Sequence, residues 1–311
     1  MKDGVININK PAGWTSQDVC SKLRHRLRIK RIGHTGTLDP MATGVLPVCI
    51  GKATRIIEYY DRDLKTYRAR MKLGTISDTL DIWGTILEEH PVRISDEGGE
   101  YTVSESSIRR AFADYTGAVS QVPPKYSALK INGRRAYDLA RQGADFELKK
   151  REIMIMANEI TDIDRESGVI GFEVTCSKGT YIRTICDDIG RTLGCGAVMT
   201  ELKRTASGMF DIYNAAVFEN LLEMTDEEIG KCIIPMEDTL IFLGTVQLDD
   251  NRFTAFINGN SSGSGYSVTE ESHFADSEGL PVYRVFASNV FLGTAVIKDR
   301  QLIPAKVIYS R

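Results

Sequence analysis

One carboxylate stands out by its setting. Asp39 lies in Gly33-His34-Thr35-Gly36-Thr37-Leu38-Asp39-Pro40, so two glycines and a proline share an eight-residue stretch with a single acid. Glycine lets backbone approach closely and proline fixes φ, so the stretch can hold a carboxylate at a defined angle. By chemistry alone its role is open, because an Asp before Pro more often makes a turn or a cap. The neighbouring Gly44…Gly51-Lys52 invites a phosphate loop, which needs four residues between the glycines and Ser or Thr after the Lys. Here six intervene and Ala53 follows, so an NTPase is rejected. Cys20, Cys49, Cys176, Cys186, Cys195 and Cys232 contain no C-x-x-C pair. They read as reduced thiols in or near the core, not as a zinc site or disulfides.

The chain of 311 residues is long enough for roughly two domains. It has no apolar run of the length a membrane helix needs. Its start enters a short alternating segment and not a signal core, so a cytoplasmic protein is expected. The formal net charge of −3 is unevenly spread. Residues 1–60 hold ten Lys/Arg against four Asp/Glu, residues 121–155 eight against four, and residues 211–311 seven against fifteen. A polyanion would be drawn to the first two stretches and repelled by the last.

These residues need elements to position them. Val5–Asn9 reads as a short strand, broken by Lys10-Pro11-Ala12-Gly13. Thr15 or Ser16 can cap a helix with Val19, Leu23 and Leu27 on one face and Lys22, Arg24, Arg26 and Arg28 elsewhere. Only Asp18 offers those cations a local acidic partner, which suits phosphate contact. Residues 66–74 alternate as a strand. Residues 91–101 read as a surface loop, and Ser104 caps a further helix. Strands are expected at Ile153–Ile160, Val169–Ser177 and Phe210–Asn214, and a helix at Arg183–Leu193. Helices and strands mix without regular alternation, so the fold class expected is α+β, with a mixed, largely antiparallel sheet. Beyond residue 240, short strands at 245–248, 265–268, 282–287 and 290–297 suggest a small, separate β module, with a flexible loop at 258–265. The expected domains are therefore 1–240 and 241–311.

The string GHTGTLDPMATGVLPVCIGKATR resembles the signature of the TruB family of tRNA pseudouridine synthases. The similarity extends from Val5–Lys10 and Pro11–Ser16 through Lys65-Thr66-Tyr67 and Gly74–Thr79. It continues at Pro123–Lys130, Gly133–Tyr137, Cys176–Arg183, Leu193–Ala197 and Leu202–Thr205, in the family's order. What the resemblance implies is isomerisation of the T-loop uridine at tRNA position 55 to pseudouridine, with no metal and no organic cofactor. Asp39 matches the family's nucleophile, Arg183 the arginine that pairs with it, and Tyr67 the tyrosine beside the target base. Tyr181 and Leu202 match residues lining the base pocket. His34 matches a histidine near the flipped nucleotide, where a ring can offset part of the unstacking cost. Lys10-Pro11 and Ser127 are expected to support the floor of the site. Without the resemblance, Arg183 reads equally as a surface charge, Tyr67 and Leu202 as core, and His34 as a loop residue.

The implied partner is the T-stem-loop of tRNA, bound through the basic helix and the segment 125–150. No membrane and no obligate protein partner is expected, and the chain should act as a monomer. The similarity also implies a C-terminal module of the PUA type, although the acidity of residues 211–311 fits strong phosphate contact poorly. Two rivals are a guide-RNA-dependent, dyskerin-like enzyme and a non-catalytic RNA-binding protein on the same scaffold. The short N-terminus argues against the first, and the joint presence of Asp39, Tyr67 and Arg183 against the second.

Overall fold

A computed structural model describes residues 2–131 and 133–309. Met1, Asn132, Ser310 and Arg311, which fall within the two expected domains, lie outside the described residues. The larger body is a ten-stranded mixed sheet with helices against it. Its strands are β1 (Gly4–Lys10), β2 (Ile32–His34), β3 (Thr43–Ile50), β4 (Lys65–Leu73) and β5 (Gly117–Gln121). They continue as β6 (Arg151–Asp164), β7 (Val169–Cys176), β8 (Ala197–Ser207), β9 (Phe210–Asp211) and β10 (Ala216–Val217). The order is β10-β1-β3-β8-β4-β7-β6-β5, with β2 on β3 and β9 on β8. Within this sheet the β1–β10 and β3–β8 pairs are parallel and the others antiparallel.

Three helices, α1 (Ser16–Leu27), α2 (Glu105–Asp114) and α3 (Ile182–Thr192), bury their apolar faces in one core against the sheet. Val19 and Leu23 of α1 and Ile185 and Ile189 of α3 sit there with Ile6, Leu46, Met71 and Phe172. Alternation on β4 is strict: Tyr67, Ala69, Met71 and Leu73 are buried while Arg68 and Arg70 reach outward. Thr15 caps α1 in a capping box with Asp18. Expected strand 210–214 stops at Asp211, because its carboxylate accepts from the backbone N–H groups of Tyr213 and Asn214 and turns the chain.

β3 reads as a nearly continuous apolar run because both its faces are covered. Leu46, Val48 and Ile50 join the core under the helices, while Val45 and Cys49 join a second core on the other side. That second core holds the segment Gly51–Arg62, a 3₁₀ helix whose Ala53, Ile56 and Tyr59 recur every three residues, matching its three residues per turn.

The C-terminal sheet comprises β11 (Gly244–Leu248), β12 (Tyr266–Glu270), β13 (Val282–Ala287), β14 (Val290–Lys298) and β15 (Gln301–Val307), in the order β12-β11-β13-β14-β15. It has a core of its own around Val246, Phe256, Val285 and Leu292. Val282, Val296 and Ile308 also enter the second core, with Val5, Val45 and Tyr60. Polar links reinforce this docking: Tyr59 Oη lies 2.7 Å from Thr294 Oγ1, and Lys52 donates to the Ile308 carbonyl at 2.9 Å. The six cysteines are free, four of them buried. Among the described residues no helix is long and apolar enough to cross a membrane.

Candidate active site

The Asp39 loop runs between β2 and β3 and is clamped on both sides of the acid. Before it, Ser16 Oγ accepts from the Leu38 N–H at 2.8 Å and lies 3.2 Å from the Leu38 carbonyl. After it, the Pro40 carbonyl accepts from Lys10 Nζ at 3.0 Å and from the Gly13 N–H at 2.9 Å. Lys10 is wholly buried and also donates to the carbonyls of Pro11 and Trp14, at 2.8 and 2.7 Å. Burial lowers its pKa to about 8, and the nearby negative charge of Asp39 opposes the fall. A second buried cation, Arg204 on β8, donates to Val45 O at 2.6 Å and Gly36 O at 3.1 Å, one on each limb of the loop. Gly44 lets these strands meet: at φ +100° a Cβ there would lie 2.1 Å from the Arg204 carbonyl.

The carboxylate itself remains 42% exposed, and Arg183 Nε meets it at 3.0 Å. Arg183, at the start of α3, is buried among several acceptors. It donates to Thr79 O and Tyr126 O, each at 3.0 Å, and a second carboxylate, Asp81 Oδ2, lies 3.5 Å away. Asp81 was not singled out by sequence. Its other oxygen accepts from the Thr79 hydroxyl at 2.7 Å and the Trp83 N–H at 3.1 Å, while burial raises its pKa. The 78–84 loop around it is strained, with Leu80 at φ 64°. A guanidinium fixed between two carboxylates defines the direction of the free oxygen of Asp39.

The other expected residues converge on the same region to different degrees. Tyr67 is buried on β4, and burial raises the pKa of its hydroxyl, with Arg204 and Asp39 close enough to act on it. Leu202 is buried on β8, opposite Ala69 of β4. Tyr181 caps α3, and Gln121 holds its backbone at both N–H and carbonyl, at 2.8 and 3.1 Å. Ser127 is buried close to the Tyr181 hydroxyl, whose pKa burial raises. His34 ends β2, where burial lowers its pKa and Nδ1 has no hydrogen-bond partner among the described residues. A cleft of about 480 Å³ borders the loop, lined by Ala12, Met41, Trp83 and Leu202 among others, and Asp39 lies beside it, not in its wall.

The basic helix is only partly available for phosphate. Arg26 pairs with Asp226 at 2.7 Å and donates to the carbonyls of Leu222 and Met224, a partner some 200 residues away that local sequence could not reveal. Arg24 donates to Lys30 O and Ile32 O. Lys22 and Arg28 stay exposed, as do Lys125, Lys130, Arg134, Arg135, Arg141 and Lys149 in the second basic segment.

Comparison with known proteins bears on both fold and site. The chain superposes on a solved structure titled as a Cbf5-Nop10-Gar1 complex with a TM-score of 0.74, at 25% identity over 99% of this chain and 85% of that one. Curated relatives described as tRNA pseudouridine synthase B are closer in sequence. One from Clostridium kluyveri is 40% identical over 98% of this chain and 99% of its own length. One from Alkaliphilus oremlandii is 42% identical over 96% and 94%. Fold and relatives together define a pseudouridine synthase. Residues 24–182 match the model of the TruB family pseudouridylate synthase N-terminal domain, and residues 183–241 that of the tRNA pseudouridylate synthase B C-terminal domain. The chain belongs to the TruB family.

Proposed function

We propose that this protein converts uridine 55 in the T-loop of tRNA to pseudouridine, with Asp39 as the nucleophile on a flipped-out uridine. The observation that carries this is the Asp39–Arg183 contact of 3.0 Å at the tip of a loop clamped on both sides. A carboxylate fixed by a buried cation needs little reorganisation as charge shifts in the transition state. In the reaction the bond from uracil N1 to the ribose breaks, the ring turns, a bond from uracil C5 to the same ribose carbon forms, C5 gives up its proton and N1 gains one. Asp39 attacks either sugar or base. Tyr67 stacks on the target ring, and its neutral hydroxyl relays a proton. Leu202 and Tyr181 line the base pocket, excluding water and strengthening the ion pair. His34 fills space near the vacated stack.

tRNA as substrate is supported by relatives carrying that name across nearly their whole length. The exposed cations of 125–150 and of α1 are the proposed backbone contacts. We place the enzyme in the cytoplasm, acting as a monomer without cofactor. We assign residues 1–240 to catalysis and residues 241–311 to a PUA-like module that touches the acceptor stem lightly, given its acidity. The experiment is tritium release from tRNA labelled at uridine C5, for wild type and Asp39→Ala. Wild type should release label and the variant none, with binding retained. Equal release by both would remove Asp39 from the chemistry.

A further inference from the structure

Trp83 is an expensive side chain to leave in water, yet it is 44% exposed beside the site. It lines the cleft that borders the Asp39 loop, together with Met41, itself 38% exposed, and the buried Leu202. Its backbone is not free. The Trp83 N–H donates to Asp81 Oδ1 at 3.1 Å, and the other oxygen of that carboxylate faces Arg183 at 3.5 Å, which in turn holds Asp39 at 3.0 Å. The loop that presents it is tightened further by Ser77 Oγ, which donates to Asp81 O at 2.6 Å, and by Gly84, where a Cβ would lie 2.1 Å from Thr79 Oγ1. An indole is thus presented to solvent on a rigid loop, in register with the acid through two shared groups.

The rim of the same cleft carries Arg68, Arg70 and Lys203. Arg68 and Arg70 pair with Glu173 and Asp162, and the exposed Lys203 shares the lining with the exposed Glu201. An aromatic face at the mouth of a cleft, with a cation at its edge, is the chemistry that captures an unstacked base and its phosphate. A thioether across the cleft adds an adaptable apolar contact.

We propose that Trp83 is a substrate-binding residue that stacks on a nucleobase next to the one presented to Asp39, and so helps hold the loop RNA open. The inference rests on the reading of the substrate as a structured RNA loop. Catalysis does not require the indole to touch the reacting uridine, so its loss weakens binding and spares the chemical step.

The test uses the full chain and a synthetic T-arm stem-loop RNA. The sequence has two tryptophans, Trp14 and Trp83, and Trp14 is packed edge-on against Phe218 with ring centroids 5.3 Å apart. Titrating RNA should quench the fluorescence of wild type. Trp83→Phe should lose most of that quench while keeping near-native affinity by filter binding, because a phenyl ring still stacks. Trp83→Ala should raise KM roughly five- to 150-fold, the range of one lost base stack, with kcat within about twofold, and Trp83→Phe should restore KM. An unquenched wild type that binds RNA on filters, or a wild-type KM in Trp83→Ala, overturns the inference. Failure of the functional reading is distinguishable: wild type would bind and quench without forming pseudouridine, and the stack would stand.

Discussion

Lys10 and the carbonyl of Pro40 are thirty residues apart in sequence and 3.0 Å apart in space, and this contact ties the first strand to the segment bearing Asp39. Lys10 has three carbonyl partners, and its three ammonium protons match them one to one. As pH rises through about 8 the amine loses a proton, and two donors then serve three acceptors. The rate should therefore fall on an alkaline limb centred near 8. Stability should move the other way. The folded pKa lies below the ordinary 10.5, so between about 8 and 10.5 the unfolded chain holds the proton more tightly. In that window the contribution of Lys10 to stability rises with pH. A pH–rate profile set against melting temperatures, for wild type and Lys10→Met, checks both signs. The variant should lose the limb centred near 8, and a variant that kept it would refute the assignment.

Arg183 is shared between Asp39 and Asp81. Asp81→Asn keeps an oxygen for the Thr79 hydroxyl and the Trp83 N–H but removes the second charge. Losing one charge-assisted contact of even about 1.4 kcal/mol corresponds to tenfold in rate. We expect kcat to fall at least tenfold in single-turnover tritium release, with RNA affinity within about twofold by filter binding. Full activity in this variant would make Asp81 a mere loop brace.

Removal of residues 241–311 will do more than remove a proposed RNA contact. Val45, Cys49, Ile56, Tyr59 and Tyr60 share a core with Val282, Val296 and Ile308. Each large apolar side chain exposed costs about 1.5–3 kcal/mol, and a total of even about 3 kcal/mol lowers the melting temperature of a body this size by about six degrees or more. The truncated chain should melt at least that much lower and bind a hydrophobic dye. An unchanged melting curve would show the shared core to be dispensable.

Much of the fold was legible because its signals are local. β4 alternates, Ser104 caps α2, and α3 carries its isoleucines four apart. β8, the strand at the centre of the site, was missed. Its alternation is broken by two register shifts and by Arg204, a cation where an apolar residue belongs. β15 was hidden by Pro304, which pairs at a further register shift. Asp39 stood out by its setting, but its pairing with Arg183 and the place of Tyr67 were visible only through resemblance, since nothing in their spacing says that residues 39 and 183 meet. Asp81 and the clamp by Ser16 were invisible for the same reason, being relations across the fold. The staple between Arg26 and Asp226 turned a supposed phosphate-binding face into a partly structural one.

The sheet also sets an order of events during synthesis. β1 lies between β3 and β10, Val5 bridges to Ile234, and β3 is completed by β8 through residues 203 and 204. The loop bearing Asp39 is thus among the first segments to leave the ribosome and among the last to acquire all its neighbours. The Arg204 contacts that brace it arrive some 160 residues later. A chain interrupted before that point carries the proposed nucleophile without the frame that aims it, so on this reading activity waits until the strand bearing Arg204 has been made.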